Sequence, residues 1–195
     1  AGGKKPFNLF RRWELMSPIR WPRADEEEAV RRLAERCGVF RPEEIETLLE
    51  IFREACEKGA ERSGYYFRVW ADGESEAPLG LICYGRRPLT RWSWDLYWLL
   101  VDPQAQRQGI GTALLRAMEE HIERAGGRWI LVETATAPAY APARRFYERH
   151  GFRLLAVVED FYDEGEGLAV YLKGLPSPSG ERSSSAMEAH TQEVG

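Results

Sequence analysis

Two consecutive stretches near the start of the chain carry apolar residues at helical spacing. Val30, Leu33, Ala34 and Cys37 share one face, and Ile45, Leu48, Leu49, Phe52 and Cys56 share another, the pattern of amphipathic helices packed on a core. Asp25 followed by Glu28 reads as the cap that opens the first helix, and Pro42 opens the second. Residues 65–71, 79–85 and 94–101 are instead rich in aromatic and branched side chains and read as strands, the first two paired through a turn at Asp72-Gly73. A third helix over 109–125 aligns Ile110, Ala113, Leu114, Ala117, Met118 and Ile122, and Gly126-Gly127 ends it. A strand at 128–134, a helix opened by Pro142 with Ala143, Phe146 and Tyr147 on one face, and strands at 152–159 and 168–172 complete the pattern. With a short first strand at 19–21, the order is β-α-α-β-β-β-α-β-α-β-β.

The chain has 195 residues, 44% of them hydrophobic and 30% charged, within the globular range and matching one domain of ordinary size. Residues 1–16 read as an N-terminal extension, 17–175 as the domain, and 176–195, rich in Ser and polar residues, as a flexible tail. No run approaches the roughly 18 apolar residues of a spanning helix, and no secretory core is present, so the expectation is a cytoplasmic protein with no membrane partner. The formal net charge of −4 gives no general hold on a polyanion, which disfavours nucleic acid. Cys37, Cys56 and Cys83 lack CxxC spacing and sit among apolar neighbours, and His121, His150 and His190 are scattered. Both patterns point to core cysteines and no metal site.

Trp92, Trp94 and Trp98 alternate and are expected on one face of their strand, as sheet packing rather than a binding cage. The stretch from Leu99 to Thr112 is more informative: a buried-type strand runs through a short loop directly into a helix. Gly109 and Gly111 remove side chains where backbone would approach a ligand, and the helix that follows points unpaired N–H groups and its positive end at the same place. Those features make an anion cradle. The spacing Gln106-x-x-Gly109-x-Gly111 fits neither a dinucleotide fingerprint nor a nucleotide-triphosphate loop.

That spacing resembles the pyrophosphate loop of the GNAT superfamily of acetyl-CoA-dependent N-acetyltransferases. Leu99-x-Val101-x-Pro103 is similar to the family's fourth strand and its exit, and Arg145-Phe-Tyr-Glu-Arg-His-Gly-Phe152 to its later helix ending in a Gly-aromatic pair. The resemblance covers about residues 17–174. It implies an α/β fold: a mixed, mostly antiparallel sheet with parallel, splayed fourth and fifth strands, flanked by about four helices. It implies acetyl-CoA as co-substrate, its pantetheine arm against Leu99, Leu100 and Val101 in the splay. Gln106, Arg107, Gln108, Gly109, Ile110, Gly111 and Thr112 would hold the pyrophosphate, with Arg107 either adding charge or simply solvated. Tyr147 stands where relatives place the acid that protonates the leaving thiolate, or else is a core aromatic. His150 reads as a helix-end residue facing terminal carbonyls.

For the base, Glu133 is the first candidate and Asp95 the second, each alternatively a strand-end residue in solvent or an ion pair. Where many relatives carry Asn, seven residues before the tyrosine, this chain has Tyr140. Acceptor contacts are expected from the second helix, residues 86–94 and the acidic-aromatic run 160–166. The implied reaction is direct transfer of acetyl to a primary amine, a small molecule favoured, without metal or covalent intermediate. A non-catalytic acyl-CoA sensor and a protein lysine or N-terminal acetyltransferase are the alternatives, and a homodimer is compatible with either.

Overall fold

The computed structural model describes residues 18–73 and 76–176. The extension expected over 1–16 and nearly all of the expected tail lie outside the described residues. Seven strands, β1 (Ile19–Arg20), β2 (Tyr66–Trp70), β3 (Gly80–Arg86), β4 (Ser93–Val101), β5 (Trp129–Ala135), β6 (Arg153–Asp163) and β7 (Glu166–Gly174), form one sheet in the order β1-β2-β3-β4-β5-β7-β6. Five helices flank it: α1 (Glu27–Cys37), α2 (Pro42–Lys58), α3 (Ala60–Ser63), α4 (Ile110–Arg124) and α5 (Ala141–Arg149). The order is the one read from the sequence, with the single turn α3 added between Gly59 and Gly64, both at positive φ.

Antiparallel pairing runs through the sheet except between β4 and β5, which are parallel. A parallel neighbour needs a crossover, and α4 supplies it. Gly127, just beyond α4, is required by close approach, since a Cβ there would lie 2.5 Å from the Trp94 indole nitrogen.

Two apolar layers sandwich the sheet. Val30, Leu33, Leu48, Leu49 and Phe52 of α1 and α2 pack with Phe67, Val69, Leu81, Cys83 and Leu100. On the opposite face Leu114, Leu115, Met118 and Ile122 of α4 pack with Tyr84, Trp94, Leu96, Ile130 and Val132. Truncating one of these buried leucines to alanine costs about 2–5 kcal/mol.

Two expectations change. The first helical segment is capped two residues earlier than Asp25 and Glu28 indicate: the buried Glu26 carboxylate accepts the Arg23 N–H at 2.7 Å and pairs with Arg20 at 2.6 Å. Burial alone pushes the Glu26 carboxyl up, but these partners outweigh it and hold it below its ordinary value. Nor do Trp94 and Trp98 share a face. The β3–β4 register runs Cys83↔Trp98 and then Tyr84↔Leu96, so Tyr97 is an inserted bulge residue. Trp94 and Leu96 therefore pack toward α4, whereas Trp98 and Leu100 pack toward α1 and α2. Trp92 precedes the strand and is covered by Arg91 and Arg128.

Candidate active site

β4 and β5 are paired only from Ser93↔Trp129 to Leu96↔Val132. Beyond that point β4 continues to Val101 on β3, and β5 continues to Ala135 on β7. The strands thus part at the Tyr97 bulge. Alternate backbone N–H and C=O groups of residues 97–101, including the candidates Leu99, Leu100 and Val101, face the gap instead of a strand.

At the far end of β4, the buried Asp102 carboxylate accepts the Gln104 N–H at 2.9 Å and pairs with Arg36 of α1 at 2.8 Å. These contacts fix a single 3-10 turn, Pro103–Ala105. Gln106, Arg107 and Gln108 follow with exposed side chains. Arg107 (φ 64) and Gly109 (φ 84) are both left-handed, a backbone that turns N–H groups toward an anion. A Cβ at Gly109 would meet nothing within 4 Å, so this glycine answers a conformational demand rather than a spatial one.

Gly111 does the opposite. It lies inside α4, where a Cβ would already touch Phe146 at 3.4 Å and Val101 at 3.5 Å. The first helical bond there is Ala113 N–H to Gly109 O at 2.9 Å, so the N–H groups of Ile110, Gly111 and Thr112 have no helical acceptor, and Gly109 brings no side-chain cap.

α5 is docked on this cradle. Phe146 lies against Gly111, and His150 joins Thr112 Oγ1 through Nε2 at 3.0 Å and the Phe146 carbonyl through Nδ1 at 2.8 Å. The carbonyl only accepts, so the proton of neutral His150 is on Nδ1 and Thr112 donates to Nε2. His150 is thus the helix-end residue expected. Tyr147, on the same helix, is buried among Phe146, Phe152 and Tyr171. Burial pushes its hydroxyl well above the ordinary tyrosine range, so it carries its proton at neutral pH. These surroundings are those of a core aromatic.

Glu133 lies on β5 one residue past the last β4 pair, with its side chain 51% exposed, at the mouth of the gap. Asp95 lies deeper, 15% exposed and held by Arg87 at 2.7 Å, while the same Arg87 nitrogen stands 3.9 Å from Glu133. One guanidinium thus links both candidate carboxylates, Asp95 closely and Glu133 at longer range. Tyr162 of β6 faces this side; burial first, then the charges of Glu133, Glu44 and Glu166, push its hydroxyl up. Tyr140, in the Asn position, donates its hydroxyl to the Val39 carbonyl at 2.9 Å and ties the α1–α2 loop to the start of α5.

The sequence signals pointed to residues 86–94 without singling out Arg87, and missed Arg36 and Asp102. Only Asp102 left a trace, since an aspartate before Pro-x is a turn former. Burial raises all three thiols, Cys83 most deeply.

Residues 19–152 match the family model described as the acetyltransferase (GNAT) family. A GNAT-family crystal structure from Desulfovibrio desulfuricans is 36% identical with a TM-score of 0.74, over 80% of this chain and 98% of that one. The S-(2-succino)cysteine N-acetyltransferase of Bacillus subtilis is 33% identical over 91 residues, 46% of this chain and 53% of that protein. The match spans about half the length of the curated relatives. An aminoglycoside 6'-N-acetyltransferase solved with coenzyme A shares the fold at 15% identity and a TM-score of 0.62, over 82% of this chain and 98% of that one. With its parallel splayed strands, glycine-built helix start and a family match over most of its length, the chain belongs to the GNAT acetyltransferase family.

Proposed function

We propose that the protein transfers an acetyl group from acetyl-CoA to the primary amine of a small molecule, by direct attack with both substrates bound. The observation that carries this reading is the meeting of three features at one gap. The splay leaves backbone groups unpaired, the uncapped α4 start lies at one end, and Glu133 stands at the mouth on β5. The residues fit the co-substrate, because the left-handed Arg107 and Gly109 lead into an α4 start whose first N–H groups have no helical acceptor.

Acetyl-CoA supplies an activated thioester. Residues 106–112 hold its pyrophosphate through backbone N–H groups, and Leu99, Leu100 and Val101 accept the pantetheine arm as a strand would. A backbone N–H of this segment stabilises the oxyanion that develops on attack. Glu133 takes a proton from the incoming ammonium, directly or through water, and Tyr147 donates one to the departing sulfur, help worth about 10²–10⁴ in rate. Asp95 positions Arg87 behind Glu133. The carboxylates of Glu133, Glu44 and Glu166 around Tyr162 favour a cationic amine over an anionic acceptor. The Bacillus subtilis relative, named for acetylating a modified amino acid, supports the small-molecule choice.

Release of free thiol from acetyl-CoA, followed across amino acids, polyamines, aminoglycosides and peptides, tests the proposal. It expects fast release with at least one small amine. Acetyl-CoA binding without release for any acceptor marks a sensor module instead, and release with peptides alone marks a protein acetyltransferase.

A further inference from the structure

The two strands that part at the gap are each braced at their open end. On the β4 side, Arg36 pairs with Asp102 at 2.8 Å, the Cys37 thiol donates to the Val101 carbonyl at 3.7 Å, and the Phe40 and Trp98 ring centres lie 5.3 Å apart. The end of α1 and the loop after it are thereby held on β4. On the β5 side, the Arg144 guanidinium donates to the Ala135 carbonyl at 2.6 Å and to the Ala137 carbonyl at 3.1 Å, which holds the start of α5 on the end of β5. The half-buried Tyr140 joins these two fixtures, its hydroxyl donating to the Val39 carbonyl at 2.9 Å across 101 residues of chain. No ladder joins β4 to β5 at this level, since their pairing ends at Leu96↔Val132. An asparagine side chain in place of Tyr140 would stop well short of Val39.

This clasp borders the acceptor side of the gap. Tyr140 and Tyr162 stand in the field of the same three groups, Glu44, Glu166 and Arg41, and Tyr162 stands in that of Glu133 as well. The cradle has supports of its own in Phe146 and His150.

We propose that Tyr140 is a positioning residue for the acceptor: its bond to Val39 fastens the α1–α2 loop across the open end of the gap, so that the incoming amine meets a wall already in place. The role rests on the proposed reaction. A neutral hydrogen bond of this kind is worth about three- to tenfold in an equilibrium constant. Without it the loop is fastened in only a fraction of molecules, and apparent acceptor affinity falls by that fraction. Saturating acceptor draws the loop closed again, so turnover recovers.

Steady-state kinetics of wild type and Tyr140→Phe, with acetyl-CoA and the amine of the panel above that wild type acetylates fastest, test the role alongside hydrogen exchange of both full chains without substrates. Tyr140→Phe is expected to raise the acceptor KM about three- to tenfold, with kcat and the calorimetric acetyl-CoA Kd within about twofold of wild type. Exchange across residues 38–41 is expected to quicken by a similar factor while residues 106–112 keep their rates. A general loosening of the fold would instead lower kcat and acetyl-CoA affinity together. That shared loss overturns the proposal, as does an unchanged acceptor KM or unchanged exchange in the loop. A wild-type chain that acetylates no amine overturns the proposed reaction itself, and the acceptor role with it.

Discussion

The cradle from Asp102 to Thr112 is one continuous run of chain, whereas the acceptor side of the gap is assembled from residues far apart: Arg87 after β3, Asp95 on β4, Glu133 on β5 and Tyr162 on β6. The cradle is also made chiefly of backbone. The side chains of Gln106, Arg107 and Gln108 are exposed while Asp102, Ala105 and Ile110 are buried beneath the loop, and its two glycines serve a left-handed turn and a close approach to Phe146. The acceptor side is made of side chains whose charges act on one another. A backbone site tolerates changes in the residues around its glycines but not in the glycines; a side-chain site is set by identity at each position. Under the proposed function the constant co-substrate falls on the first and the variable acceptor on the second.

The largest expected effect tests the element that joins the two regions. Tyr147→Phe lowers kcat by about 10²–10⁴ while leaving acetyl-CoA affinity nearly unchanged, as measured by turnover alongside calorimetric titration; equal turnover removes the acid role. Because burial raises the Tyr147 hydroxyl, it keeps its proton as pH rises through about 10, where free tyrosine ionises, so an alkaline fall in rate below that pH has another source. Stability shows the same sign. Tyr84, pushed up to about 12 chiefly by burial, contributes fully below about 10 and loses that contribution as pH rises through its folded value.

The two carboxylates separate next. Glu133→Gln is expected to cut kcat about 10²-fold, at the lower end for a general base. Asp95→Asn, which only loosens Arg87, costs about tenfold or less. Rate profiles of both variants with one amine check the ranking, and the reverse order makes Asp95 the base.

This division also explains what was legible from the chain alone. Element order and cradle followed from periodicity and from the spacing of Gln106, Gly109 and Gly111, because backbone conformation leaves its mark on which residues are glycine. The face of Trp98 did not follow, since one inserted residue at Tyr97 reverses the alternation after it and depends on pairing with β3 rather than on local sequence. The true cap at Glu26 was hidden for a related reason: its strength comes from Arg20 in another element. Glu133 and Asp95 were visible as strand-end carboxylates, but the Arg87 that links them lies in a loop with no motif.

Smaller effects fall on the cradle's supports. Gly109→Ala strains a left-handed position by about 1–2 kcal/mol, which weakens acetyl-CoA binding about tenfold, and calorimetric titration measures it. Arg36→Ala removes the outer partner of Asp102; with Arg36 half in solvent, the loss is roughly 1 kcal/mol of stability, visible in denaturant unfolding and with little change in kcat.

The central claim, that this gap and cradle hold acetyl-CoA, is tested most directly by unfolding wild type and Gly111→Val with and without the co-substrate. At 100 times its dissociation constant, acetyl-CoA is expected to stabilise the wild-type fold by about 2.7 kcal/mol and to leave the folded Gly111→Val protein unshifted, because the added methyls enter the space between Phe146 and Val101. A wild-type chain that saturating acetyl-CoA does not stabilise, or a variant stabilised as much as wild type, contradicts the account.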